Sequence, residues 1–146
     1  MSSLPWLNES DFEFPDPSSA LKEPNGLLAA GGSLDPERLL DAYSKGIFPW
    51  FEEGQPILWW TPDPRMVLFT EELHIGRSLT KAIKKSPFHV TSDKEFPTVV
   101  HNCAGKRPYS DDTWITPEME KAYCTLHEMG AAHSIEVWED STLVGG

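Results

Sequence analysis

The stretch GIFPWFEEGQPILWWTPDPR, from Gly46 to Arg65, sets five aromatic side chains among four prolines within 20 residues. Proline removes a backbone donor and fixes φ, so this segment cannot run as a long helix or as the middle of a broad sheet. PILWW reads as a short strand, and TPDPR ends it. Adjacent residues of a strand point to opposite faces, so one of Trp59 and Trp60 can enter a core while the other is exposed or covered by a second layer. Trp50 follows Pro49 in a loop. There an indole either packs inward or offers a stacking surface for a nucleobase.

A chain of 146 residues is one domain, or a small domain joined to part of another. Its hydrophobic fraction of 39% and six tryptophans suffice for a packed core. No apolar run approaches the roughly 20 residues that span a bilayer, and MSSLPWLNESDFEFPDP does not read as a signal peptide. Two cysteines, Cys103 and Cys124, form no disulfide framework and fit a reducing cytosol.

The net charge of −11 opposes non-specific binding to nucleic acid. A nucleic-acid function then needs a local basic patch, and one candidate exists. Arg77, Lys81, Lys84 and Lys85 fall at i, i+4, i+7 and i+8, on one face of a helix. Such a stripe is either an ordinary solvated face or a track for phosphates.

The spacing of apolar residues predicts an α+β chain. Asp35 and Pro36 open a helix whose stripe is Leu39, Leu40 and Tyr43, with Gly46 as its stop. After Arg65 the texture changes, which suggests an N-terminal α+β domain over 1–64 and a second unit over 65–146. In the second unit RMVLF and FHVTS read as strands, and GRSLTKAIKKSP reads as a helix ending at Pro87. Phe96, Val99, Val100 and Cys103 mark another helix face. Thr116 and Pro117 open a further helix carrying Met119, Ala122, Tyr123 and Leu126, with Gly130 as its stop. AHSIEVW, EDST and LVGG form a hairpin. The chain ends inside that hairpin, so the sequence reads as cut short.

Several chemistries lack support. His101, Cys103, Cys124, His127 and His133 match no zinc spacing, and no motif surrounds either cysteine as a nucleophile. The pairs in AAGGSL and LVGG have neither the phosphate-loop lysine nor dinucleotide spacing, so turn geometry accounts for them better. No cofactor is expected.

EPNGLLAAGGSL, LLDAYSKGIFPWF, PILWWTPDPR, TWITPEM, AYCTLHEMG and AHSIEVWEDSTLVGG occur in that order, and together they resemble the leucyl/phenylalanyl-tRNA–protein transferases. The resemblance runs from about Phe14 to Gly146. It implies a cytoplasmic enzyme that moves Leu, Phe or Met from aminoacyl-tRNA to proteins whose N-terminal residue is Lys or Arg, marking them for degradation. Neither DNA nor a membrane is an implied partner. The implied fold is a small N-terminal α+β domain followed by the first half of a GNAT-like acyltransferase domain.

Matched by motif, Trp50 and Trp114 resemble the family's aromatic contacts to the terminal adenosine and its amino acid. Tyr43 and Tyr123 are further candidates, and Arg77, Lys81, Lys84 and Lys85 match the helix that meets the acceptor stem. The family's later acidic and amide residues, implicated in amine activation, have no counterpart here. No catalytic residue is therefore expected in this chain, nor transferase activity from it alone, and Glu136 receives no role. The alternative is a non-catalytic module that binds basic protein N-termini.

Overall fold

The computed structural model describes residues 4–10, 12–105 and 113–146. Among these, strands β1 (Trp6–Leu7), β2 (Leu27–Gly31), β3 (Phe48–Pro49) and β4 (Leu58–Trp60) form a sheet in the order β1-β2-β4-β3. β1 runs parallel to β2, and the other pairs are antiparallel. A second sheet, β5-β6-β7, is antiparallel and consists of Phe88–Ser92, Ile135–Glu139 and Thr142–Gly145. Helices α1 (Pro36–Ser44), α2 (Arg77–Lys85), α3 (Phe96–Ala104) and α4 (Pro117–Glu128) complete an α+β architecture.

β2 is the strand that the sequence reading passes over. LLAAG carries no alternation because four of its five residues are buried, and a central strand covered on both faces has no polar side to show. It pairs on both edges, and Trp59 of β4 donates its indole N–H to the Gly31 carbonyl at 2.9 Å. Trp59 is fully buried among Leu28, Leu39, Ala42 and Ile47, with Phe14 edge-on at 4.8 Å. Ala122 and Leu126 of α4 belong to the same cluster, so the sheet's core is closed by a helix from much later in the chain.

RMVLF is not a strand. Among the described residues, 65–69 find no ladder partner, and Met66 is 97% exposed. Strand propensity without a neighbouring edge leaves the backbone polar groups to water. α2 forms as expected but buries nothing. The face predicted for α3 is buried only at Phe96, while Cys103 is exposed. Leu68, Phe69, Leu79, Ile83, Phe88 and Val90 all stand exposed along this part of the chain. Apolar surface on that scale marks an interaction face.

Glu136 explains how the second sheet holds α3. It is fully buried on β6, yet its carboxylate accepts hydrogen bonds from Thr91 Oγ1 at 2.5 Å, from the Ser134 hydroxyl and from the Lys94 and Glu95 N–H groups. Burial pushes its pKa up, but these four donors outweigh it and the net shift is downward. A carboxylate with its lone pairs so occupied ties β5 and the start of α3 to β6, which is a structural role.

Candidate functional site

The first half of the site comes from the end of α1. Asp35 and Pro36 open the helix, and Leu39 and Ala42 bury its inner face. Gly46 then takes φ +73°, a left-handed conformation that a Cβ would strain. Gly46 N–H bonds the Tyr43 carbonyl at 3.1 Å and Ile47 N–H bonds the Ala42 carbonyl at 2.8 Å. That turn drops Ile47 into the core and sends the chain straight into β3. Tyr43, on the last turn of α1, is thereby left beside Phe48, Pro49 and Trp50. Pro49 is tolerated because β3 is an edge strand.

The second half comes from α4. Thr116 caps it, its hydroxyl accepting from Met119 N–H at 3.2 Å, and Pro117 occupies the first turn. Met119, Ala122 and Leu126 face inward, which turns Tyr123 toward α1. Trp114 sits just before the cap.

These two halves meet in an open cleft of about 530 Å³, whose walls include Trp50, Trp114, Tyr43 and Tyr123. The volume lies in the range of small-molecule sites, ~300–1,000 Å³. Trp114 meets Tyr123 edge-on at 6.4 Å, and Tyr123 meets Tyr43 edge-on at the same spacing, so three rings form a continuous wall. Trp50 stands 53% exposed and Trp114 36% exposed. Trp60 contacts Trp50 at 5.7 Å and donates its indole N–H to the Trp50 carbonyl at 2.8 Å, which fixes the loop from behind. Trp59 points the other way, into the core, as the alternation of a strand requires.

The two phenols hydrogen-bond to each other. Burial pushes the Tyr43 pKa up, partly offset by the bond to Tyr123; for Tyr123 burial and the same bond both push upward. Both rings are therefore neutral at physiological pH. One hydroxyl donates within the pair, and the acceptor's own proton is left for a third group, such as a carbonyl or hydroxyl of a ligand. Neither phenol can serve as a base near neutrality.

The structure thus brings Trp50, Trp114, Tyr43 and Tyr123 together. Arg77, Lys81, Lys84 and Lys85 lie on exposed α2 and are not part of the cleft wall. Phe48 and Arg65 do line the cleft and were not singled out from the sequence. The signal for Arg65 was present in PDPR, a cation in the turn that follows the aromatic strand. Among the described residues no group of three or more His, Cys, Asp or Glu is placed to hold a metal ion.

The sequence pattern of the family described as leucyl/phenylalanyl-tRNA protein transferase matches residues 67–146, and that of its N-terminal domain matches residues 32–63. The chain belongs to this family. Relatives named leucyl/phenylalanyl-tRNA–protein transferase include one from Stutzerimonas stutzeri, 59% identical over 143 residues, which are 98% of this chain and 63% of the relative. One from Pseudomonas syringae is 57% identical over 98% of this chain and 62% of its own length. One from Saccharophagus degradans is 57% identical over the whole of this chain and 60% of its own length. The chain thus spans about three fifths of the transferases it matches, and the cleft is built from both matched segments together.

Proposed function

We propose that this chain supplies the aminoacyl-adenosine cradle of a leucyl/phenylalanyl-tRNA protein transferase. The intact enzyme would move Leu, Phe or Met from tRNA to proteins beginning with Lys or Arg, in the cytosol. The observation that carries this reading is the convergence of Trp50, Trp114, Tyr43 and Tyr123 from distant parts of the sequence on one open aromatic cleft. An adenine has two apolar faces for indoles to cover. An ester-linked Leu or Phe side chain adds an apolar group, and its carbonyl can accept from the phenol pair. The unit after Arg65 is read as the opening part of a GNAT-like acyltransferase domain, and Arg77, Lys81, Lys84 and Lys85 as the stripe that follows the acceptor stem.

The amine-transfer reaction itself asks for a nucleophile held near the ester carbonyl and a stabilised oxyanion. What the cleft residues contribute to it is position. Stacking on Trp50 fixes the ring, and the Tyr43–Tyr123 pair fixes the carbonyl end.

Titration with a hydrolysis-resistant analogue, 3′-phenylalanylamino-adenosine, tests the reading. Saturable binding is expected, and Trp50→Ala or Trp114→Ala weakens it by roughly 5- to 150-fold, the equivalent of about 1–3 kcal/mol per stacked base. Binding that is indifferent to both substitutions contradicts the reading. Tighter binding to an Arg-starting peptide than to the analogue favours a module for basic N-termini instead.

A further inference from the structure

Among the described residues, Arg65 is the one charged side chain in the wall of the aromatic cleft. Its guanidinium is held twice. Nη2 donates to the Gly46 carbonyl at 2.9 Å, and the group lies over the Phe48 ring, 5.2 Å from its centroid. Both anchors are uncharged. The ion pairs among the described residues join Lys45 to Asp41 and histidines to Asp93 or Glu120, and none includes Arg65. The chain carries 23 acidic and 12 basic residues, and among the described residues no carboxylate pairs with this cation at the cleft.

Guanidinium is always charged, and its five N–H donors match the geometry of phosphate oxygens. One donor goes to Gly46, and the face goes to Phe48. Among the described residues the guanidinium makes no other hydrogen bond, and Arg65 lines the cleft. Because stacking and the Gly46 bond already restrict the side chain, little rotamer freedom is left to lose when an anion binds.

We propose that Arg65 forms a phosphate subsite of this cleft, receiving the phosphate on the 5′-oxygen of the adenosine that stacks on Trp50. The subsite rests on the aminoacyl-adenosine reading above. It makes Arg65 a positioning residue, because pinning the 5′ phosphate and the base together fixes where the 3′ ester points. It also gives an acidic chain a local means of accepting the charged end of a tRNA, separate from the stripe on α2.

The test compares two probes, 3′-phenylalanylamino-adenosine and its 5′-phosphate, by isothermal titration against the unsubstituted chain, Arg65→Gln and Arg65→Lys. The unsubstituted chain is expected to prefer the 5′-phosphate roughly tenfold or more, as for a hydrogen bond to a charged group. That preference shrinks as salt is raised from about 0.05 to about 0.5 M. In Arg65→Gln the ratio of the two affinities collapses towards one, and Arg65→Lys keeps only part of the preference. A preference that survives Arg65→Gln, or one insensitive to salt, overturns the subsite and leaves the aromatic cradle standing. No preference in the unsubstituted chain does the same. Failure of the unsubstituted chain to bind either probe overturns both the cradle and the subsite.

Discussion

Replacing Trp60 by Phe separates the architecture of the cleft from the stability of the fold. Phe keeps an aromatic ring in β4 but deletes the N–H that reaches the Trp50 carbonyl at 2.8 Å. That carbonyl lies at an exposed residue, so water replaces the lost donor and only the net bond is forfeited, about 0.5–1.5 kcal/mol. If the bond serves to hold Trp50 in its stacking position, affinity for 3′-phenylalanylamino-adenosine falls by the corresponding factor, roughly 2- to 12-fold. The thermal midpoint moves little, by about 1–6 °C for a chain of this size. Trp59→Phe is the counterpart. There the lost donor leaves the buried Gly31 carbonyl without its 2.9 Å partner and leaves space in a core where Trp59 was fully covered. A cost of about 2–4 kcal/mol follows, or a drop of roughly 5–15 °C. Ligand affinity of the folded fraction is unchanged. Calorimetric melting and titration of both variants give the two quantities. The reasoning is refuted if Trp60→Phe leaves affinity intact, or if Trp59→Phe weakens it as much as Trp60→Phe does.

Three further outcomes are expected. Asp93 accepts from the His133 ring and from Ser134 N–H, and these two bonds hold its pKa low against the opposing effect of burial, with a lesser downward effect from the charges of His133 and His127. A lowered carboxylate contributes fully above its unfolded value of about 4 and loses that contribution as pH falls through its folded value. Asp93→Asn, tolerable at φ +57°, therefore flattens the fall of the thermal midpoint between about pH 5 and pH 3; an unchanged slope contradicts this. Thr116→Ala removes the cap of α4 and costs about 0.5–2 kcal/mol, read as a lower denaturant midpoint at constant slope; an unmoved midpoint counts against the cap. The exposed apolar side chains around α2 drive concentration-dependent association in sedimentation velocity, which Leu79→Gln with Ile83→Gln reduces. A chain that stays monomeric at every concentration contradicts this.

How far the sequence could be read depended on how local each cause was. Thr116-Pro117 and Gly130 delimit α4 because capping is chemistry within one turn. The 135–145 hairpin was legible from alternation, and the split of Trp59 from Trp60 followed from strand geometry alone. β2 was hidden, because a strand buried on both faces shows no pattern, and RMVLF misled, because propensity carries no information about a missing neighbour. The four aromatic candidates came from motif resemblance. Their meeting depends on the Gly46 turn, which the sequence marks as the stop of α1, and on α4 packing against α1, which no spacing encodes. Arg65 is visible in PDPR as a cation, but its place in the cleft wall depends on the Gly46 turn and is seen only in three dimensions.

The central claim is that the indoles of the cleft are the surface on which an aminoacylated adenosine lies. Proton–nitrogen correlation spectra of the six tryptophan indole N–H groups, recorded while 3′-phenylalanylamino-adenosine is added, test it most directly. Trp50 and Trp114 are expected to shift together along one saturation curve, while Trp6, 71% exposed but outside the cleft wall, stays in place. Saturable binding that moves Trp6 or Trp138 and leaves Trp50 and Trp114 unmoved would contradict the account.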